Sequence, residues 1–358
     1  MQKRRSVMKS SITIGMDMGD QKHNICQLSE AGEVIETAAI ANTAPAIKDY
    51  FEGIKPSLVA LEAGTHSGWV SRVLEELGHE VVVGNPRKLR AIWDSDEKDD
   101  ERDAEMLARI ARFDRKLLYP IAHRGAKVHA DLAVIKARDM LVKSRSMMIA
   151  HCRGSVKSLG HRLTSCSADC FHKQLAEELP EELKSALEPM MKSIEELTKR
   201  IRHYDRQITK LSVEVYPETR KLRAVSGVGP ITALAYVLTL EESTRFTKSR
   251  AVGAYLGLVP RRDKSGQTDK QLPITKAGDS YLRRLLAGGA QYILGPFGPD
   301  CELRRFGLKL AARGGKNAKR RAVVAVARKL AVLLHKLWAA DVAYDPFYSQ
   351  SLKKKKAA

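Results

Sequence analysis

The chain has 358 residues and a formal net charge of +20. Its mean hydropathy is -0.30, and no apolar run approaches the ~18 residues that a membrane span needs. The basic amino terminus is followed by no apolar stretch or cleavage site of a secretory signal, and five cysteines are an odd number for a disulfide framework. We therefore expect a cytoplasmic protein without membrane contact, built from two or three domains.

The charge is distributed unevenly along the chain. Residues 1–120 carry 17 Lys and Arg against 20 Asp and Glu, whereas residues 121–358 carry 45 against 22. The net charge of the first part is therefore -3, and that of the remainder is +23. Because Lys and Arg release counterions when they neutralise phosphates, this excess favours nucleic acid as the partner of the basic part.

The amino-terminal part has the pattern of a mixed α/β domain. Short apolar or alternating segments predict strands, and segments with apolar residues at helical spacing predict helices. The predicted strands are 12–16, 25–28, 34–40, 57–61 and 81–83, and the predicted helices are 46–53, 68–77 and 100–113. We expect this domain to span residues 10–120.

The middle of the chain, residues 121–216, is predicted to be helical. Residues 127–160 and 181–215 are nearly free of Gly and Pro and carry apolar residues at helical spacing. They predict a helical hairpin or coiled coil whose tip lies around the break between them. Such apolar stripes usually serve packing, so we interpret this part as an oligomerisation or spacer element.

Four potential zinc ligands lie near that tip, but their spacing matches none of the common zinc patterns. They are His161, Cys166, Cys170 and His172. A structural role for these residues is the simpler interpretation.

The third part, residues 217–345, is predicted to be mostly α-helical. Residues 225–230, Val-Ser-Gly-Val-Gly-Pro, are typical of the turn in a helix-hairpin-helix motif, whose backbone N–H groups can face a phosphate. An ordinary Gly-Pro turn is the alternative. Residues 304–336 contain eleven Lys or Arg and no acid, which favours contact with a nucleic-acid backbone. A basic tail follows at 346–358.

Acidic residues follow two of the predicted strands and begin one predicted helix. Asp17 lies just past the first strand, and Glu62 ends a later, buried-type strand. Asp100 and Asp103 are three residues apart in the first turn of a helix, so their side chains can share one side of it. The pattern does not distinguish Asp99 from Asp100 as the third acid of the site. Each acid alone also fits a turn or a helix start.

Clustered carboxylates repel one another unless a cation neutralises them, and Mg²⁺ prefers such oxygen ligands. Pairs of these ions hold the attacking and leaving oxygens in phosphodiester cleavage. The four acids Asp17, Glu62, Asp100 and Asp103 therefore predict a Mg²⁺-dependent phosphodiester-cleaving site.

These segments resemble the Asp-Glu-Asp-Asp signature of the IS110 insertion-sequence transposases. The resemblance rests on residues 14–17, 61–69 and 98–109. It implies that Asp100, and not Asp99, is the third acid of the signature. It extends to the third part of the chain through residues 225–230, 254–260, 264–266, 274–278 and 282–284. One departure is Glu62-Ala-Gly-Thr, where family members often have Glu-Ala-Thr-Gly or Glu-Ala-Cys-Gly.

The resemblance implies a RuvC-like, RNase H type of fold for the amino-terminal domain and a transposase domain at the carboxyl end. The family's nucleophilic serine maps onto Ser265, in a segment that we interpret as a basic loop. The resemblance further implies a composite site formed by two subunits of a homo-oligomer, a dimer or a tetramer. It also implies donor and target DNA as substrates and target choice by a structured guide RNA of the bridge type.

The prediction is thus a DNA transposase that forms a transient phosphoserine link. Basic residues expected to contact nucleic acid are Arg261, Arg262, Lys264, Lys276, Arg283, Arg284, Lys316, Lys319, Arg320 and Arg321. Two alternatives remain. One is a Holliday-junction or structure-selective nuclease that uses only the acids, and the other is a basic nucleic-acid-binding protein without enzymatic activity.

Overall fold

The structure is a computed structural model that describes residues 12–89, 99–174 and 177–348. Lys98 and most of the predicted basic tail lie outside the described residues. The chain divides into two compact units, one ending at Ala126 and the other starting at Lys127. No helix among the described residues is long and apolar enough to cross a membrane.

The amino-terminal unit is built on a mixed five-stranded sheet. Its strands are β1 (Thr13–Met18), β2 (Lys22–Leu28), β3 (Val34–Ala41), β4 (Leu58–Glu62) and β5 (Glu80–Gly84). Their order is β3-β2-β1-β4-β5. The first three strands pair antiparallel, whereas β4 runs parallel to both β1 and β5. The carboxyl ends of β1 and β4 therefore lie side by side.

Helices cover both faces of this sheet. Helices α1 (Ala44–Phe51) and α2 (Ser67–Glu76) pack on one face, in a core with Ile14, Met16 and Leu61. Helix α3 (Asp100–Asp114) packs on the opposite face. The observed elements confirm the expectation of a mixed α/β domain.

Contact between α3 and β1 depends on the absence of a side chain at one position. A Cβ atom at Gly15 would lie 1.9 Å from the backbone oxygen of Ala104 and 2.6 Å from the backbone nitrogen of Ala108. Only glycine therefore allows the helix to lie this close to the strand.

The second unit begins with two long antiparallel helices, α4 (Ala126–Ser158) and α6 (Glu181–Lys210), connected through the short helix α5 (Phe171–Gln174). Arg145 is buried between them, where its Nη1 atom donates to Asp169 at 2.6 Å and to the Thr198 hydroxyl at 3.1 Å. The base of the pair shares a core with the carboxyl-terminal helices through Leu132, Ile135 and Ile208. The domain boundary at residue 216 stays a prediction.

The carboxyl-terminal part is mostly helical, as expected. Its elements are α7 (Thr219–Leu222), α8 (Pro230–Leu240), α9 (Arg250–Tyr255), β6 (Pro260–Ser265), β7 (Thr268–Ile274), α10 (Ser280–Leu294), α11 (Glu302–Ala311) and α12 (Ala318–Ala339). Almost every side chain of α8 is buried, so this helix lies at the centre of the core.

Candidate active site

Asp17 and Glu62 lie on adjacent strands at the same end of the sheet. Gly15 pairs with Ala60 and Met16 with Leu61 across the parallel strands β1 and β4. Asp17 and Glu62 are the next residues along. Because neighbouring strands are about 4.8 Å apart, these two carboxylates start from adjacent positions on the sheet.

Both side chains belong to the sheet face that α3 covers. Side chains alternate between the two faces of a strand, so Asp17 shares a face with Gly15, and Glu62 shares one with Ala60. Gly15 contacts the α3 backbone, and Ala60 packs with Leu107 of the same helix.

The direction of α3 brings its first turn to this end of the sheet. Arg109, in the second half of the helix, donates to the backbone oxygen of Gly32 at 3.1 Å. Gly32 lies in the turn between β2 and β3, at the end of the sheet where β1 begins. The amino terminus of α3, with Asp100 and Asp103, is therefore near the end where β1 finishes.

Asp99, the alternative to Asp100, has a local role. Its side chain accepts a hydrogen bond from the backbone N–H of Glu101 at 3.1 Å and thereby caps the helix. Asp100 and Asp103 each precede a buried, sheet-facing residue by one turn, namely Ala104 and Leu107. The helix geometry therefore turns Asp100 and Asp103, rather than Asp99, towards the sheet.

The four acids do not form a closed metal site among the described residues. Asp100 is exposed, and the other three are half-buried. Within residues 12–89, 99–174 and 177–348, no three His, Cys, Asp or Glu side chains come close enough to bind one metal ion. Among the same described residues, the group around Cys166 and Cys170 does not form such a site either. The donor set of the four acids nevertheless fits Mg²⁺, because all its members are hard carboxylate oxygens.

A chain of hydrogen bonds that the sequence analysis missed connects the loops following the two strand-end acids. The indole N–H of Trp69 donates to Nδ1 of His66 at 3.2 Å, and Nε2 of His66 lies 3.2 Å from the Asp20 carboxylate. An indole nitrogen can only donate, so Nδ1 is the acceptor and Nε2 carries the proton that bonds Asp20. Together these bonds hold the β1–β2 turn against the start of α2.

Two further buried polar residues of β2 lie at this end of the sheet. Asn24 pairs with Asp17 across β1 and β2 and is buried. His23 is fully buried, and its burial holds the pKa of the imidazole below its ordinary value. Six successive residues of β2 are buried, so the pattern of the sequence does not distinguish these two polar residues from ordinary core positions.

Ser265 lies at the tip of a β-hairpin, next to its turn. The interpretation of the segment around Ser265 as a loop was therefore wrong. It is the last residue of β6 and pairs with Thr268 at the start of β7, across a turn in which Gly266 has a φ of 53°. The side chains around it are exposed. The hydroxyl is therefore accessible to a macromolecular substrate. The four acids belong to the first unit and Ser265 to the second.

The predicted nucleic-acid contacts fall into two groups. Arg262 forms an ion pair with Asp269 of the same hairpin, which holds the pKa of that carboxyl below its usual value. Arg283 donates to the backbone oxygens of Leu256 and Gly278 and so fixes the loop before α10. Arg284 forms an ion pair with Asp139. The other predicted contacts are exposed, and they are Arg261, Lys264, Lys276, Lys316, Lys319, Arg320 and Arg321.

Two family models match this chain, one in its amino-terminal part and one in its carboxyl-terminal part. Residues 14–160 match a family model for DEDD transposases of the IS110 type, described as a transposase. Residues 219–299 match a second model, described as the transposase IS116/IS110/IS902 family.

Relatives match along most of their length. The chain is 28% identical to a probable family 20 transposase of Pseudomonas aeruginosa over 93% of this chain and 98% of that protein. It is 29% identical to the transposase for insertion sequence element IS1111A of Coxiella burnetii, over 93% of this chain and 91% of that protein. The transposase for insertion sequence element IS1328 of Yersinia enterocolitica is 26% identical, over 78% and 83%.

The first unit is an α/β unit with acids at one end of its sheet, and a basic helical unit follows it. Together with these matches, this arrangement along the chain defines a DEDD-type transposase. The chain belongs to the IS110 family of insertion-sequence transposases.

Proposed function

We propose that the protein cuts and rejoins DNA, with Asp17, Glu62, Asp100 and Asp103 as Mg²⁺ ligands and Ser265 as the nucleophile. The observation that supports this proposal is that Asp17 and Glu62 lie at adjacent ends of β1 and β4, on the face that α3 covers, and that the first turn of α3 lies towards the same end of the sheet. The sheet order and the helix across it also support a RuvC-like fold for this unit.

Each acid would reach the metal from a rigid element. Asp17 and Glu62 project from strand ends fixed by their pairing, and Asp100 and Asp103 from the capped first turn of α3. A bound Mg²⁺ ion supplies neutralisation of charge on the phosphate and lowers the cost of bringing the carboxylates together. The hydrogen bond between His66 and Asp20 restrains the loops beside this site and acts as a positioning contact.

The reaction that we assign to Ser265 is a phosphoryl transfer. Its Oγ atom forms a bond to the phosphorus of a DNA strand while the bond from phosphorus to a deoxyribose oxygen breaks. The departing oxygen takes up a proton, and the serine hydroxyl gives one up, so charge and atoms balance. Attack by a hydroxyl of another strand reverses the step and rejoins DNA without ATP. Lys264, which is next to Ser265, and Arg261, nearer the start of the same strand, are both exposed, and we assign them to stabilising the phosphate.

The partners that we propose are donor DNA, target DNA, a structured guide RNA of the bridge type and further copies of the chain. The excess of 23 positive charges after residue 120 supports binding of polyanions. Helices α4 and α6 are the proposed oligomerisation element, since they extend as a pair with exposed Met140 and Met147.

Trapping the covalent intermediate tests this proposal. The full chain is incubated with donor DNA and Mg²⁺, quenched in denaturant and analysed for protein attached to labelled DNA. We expect an adduct with the unchanged protein and none with Ser265→Ala. Ser280→Ala, an exposed serine at the start of α10, is the control and should form the adduct normally. Cleavage without an adduct would instead identify a nuclease that uses water.

A further inference from the structure

A groove in the second unit, lined by described residues outside the β6–β7 hairpin, has the features of a nucleic-acid site. It has a volume of about 550 Å³ and lies between the turn that precedes α8 and one side of α10. Residues 225–229 of the turn form one wall. Arg284, Gly288 and Tyr292 of α10 form the other, and Arg223 lies at its edge.

The two walls meet through backbone contact. A Cβ atom at Gly227 would lie 2.6 Å from the backbone oxygen of Gly289, and one at Gly289 would lie 2.7 Å from that of Gly227. Gly227 also has a φ of 81°, which favours glycine. This contact fixes the turn against α10 and forms the floor of the groove.

The turn presents hydrogen-bond donors to the groove. Among the described residues, the backbone N–H groups of Ser226, Gly227 and Gly229 have no backbone acceptor, and neither does that of Thr232 in the first turn of α8. The hydroxyl of Thr232 lines the groove, has no hydrogen bond within the described part of the chain, and belongs to a residue that is only 8% exposed. An unpartnered hydroxyl that opens into the groove can bond to a ligand there.

The charge of the groove selects an anionic ligand. Arg223 is exposed at one edge, and the Arg284 side chain is half exposed. Asp139 accepts one hydrogen bond from Arg284 at 2.6 Å, which leaves the other guanidinium donors available. Together with the backbone donors, the two guanidinium groups fit a phosphate.

An aromatic ring lies at the other end of the same stripe of α10. Arg284, Gly288 and Tyr292 are spaced four residues apart, so they follow one side of the helix over ~12 Å. Tyr292 is 49% exposed. A Cβ atom at Gly288, between them, would meet nothing within 4 Å, so the groove is open along this side.

We infer that this groove binds an unpaired segment of a nucleic-acid strand, with a phosphate at the turn and a base stacked on Tyr292. A duplex presents its phosphates but keeps its bases stacked on one another, so it cannot use the ring. An unpaired strand uses both features, and base stacking on an aromatic side chain gives a sequence-tolerant contact. The inference deepens the proposed function and rests on it, because it takes nucleic acid as the substrate class.

Photo-crosslinking tests the inference. The full chain is irradiated with oligonucleotides of about 12 residues that contain 5-iodouracil, as single-stranded DNA, single-stranded RNA or duplex DNA. Trypsin then releases residues 285–304, which contain Tyr292, as one peptide. We expect one or both single strands to crosslink to this peptide, and the duplex to do so at least about tenfold less. The two single-strand arms tell whether the strand is DNA or RNA.

Two matched variants make the test specific. Gly288→Glu places a negative side chain in open space within the groove, whereas Gln291→Glu makes the same change of net charge on an exposed position of α10 that does not line it. We expect Gly288→Glu to lower the crosslinking yield at this peptide at least about tenfold and Gln291→Glu to leave it within about twofold. Circular dichroism melting checks that both variants fold.

Three outcomes would overturn the inference. The crosslinks could be confined to other peptides, the duplex could crosslink to this peptide as strongly as the single strands, or Gly288→Glu could crosslink as strongly as the unchanged protein. In each case the cutting and rejoining of DNA can remain intact, so the proposed function stands. Failure of the unchanged protein to bind any nucleic acid would contradict the proposed function itself.

Discussion

Replacing Gly15 by alanine should separate α3 from the sheet. Real Cβ atoms stay 3.0 Å or more from such neighbours, but at this position the atom would lie 1.9 Å from the Ala104 oxygen. The helix backbone must therefore retreat by about 1 Å, since no flexible side chain can give way. Overpacking usually costs about 1–3 kcal/mol, and we expect the upper end of this range because the clash is between backbone atoms.

The consequence reaches the candidate site because α3 carries Asp100 and Asp103. A loss of ~3 kcal/mol lowers the melting temperature of a unit of this size by about 10 °C or more. Urea unfolding followed by hydrogen exchange should show early exposure of α3 and β1, and DNA cleavage should fall along with it. Gly53→Ala is the control, because a Cβ atom there would meet nothing within 4 Å. Equal stability of the two variants would refute this account of the contact between helix and strand.

Three further predictions concern single contacts. Burial holds the pKa of His79 below its ordinary value of about 6.5, and Nδ1 accepts a hydrogen bond from Ser57. Protonation favours the unfolded chain, so the free energy of unfolding of the first unit should fall as pH drops below ~6.5. His79→Gln should reduce that dependence in urea titrations and leave the part that buried His23 contributes. Trp69→Phe removes the donor to His66 and should cost about 0.5–1.5 kcal/mol by urea unfolding; an unchanged midpoint would count against the bond. Arg145→Ala should destabilise the α4–α6 pair by about 2–4 kcal/mol, because it removes a buried guanidinium together with its hydrogen bonds to Asp169 and Thr198. Protease sensitivity confined to these helices is the readout.

Much of the amino-terminal fold follows from patterns that the sequence displays. Ile14 and Met16 alternate with Gly15 and Asp17, which predicts a strand with one apolar face and an acid at its end. The direction of α3 could not be predicted, because it depends on the contact at Gly15 and on Arg109 reaching Gly32, two features that no periodicity encodes.

The β6–β7 hairpin illustrates a different limit. Both strands are exposed on both faces, so Arg261, Lys264 and their neighbours show no alternation of apolar and polar residues. The segment therefore has the composition of a loop although it pairs as a hairpin. His66 was missed for a related reason, since its role depends on Trp69 and Asp20, and a single histidine in a loop predicts neither partner.

Four particular acids, on two strands and one helix, are proposed to form the cutting site. Cleavage of labelled donor DNA in Mg²⁺ should be compared for Asp17→Asn, Glu62→Gln, Asp100→Asn and Asp103→Asn, with Glu101→Gln as the control in the same helical turn. We predict that each of the four loses more than about a hundredfold in rate, while the control stays within about threefold. Cleavage that survives in the four variants, or that is lost equally in the control, would contradict the account.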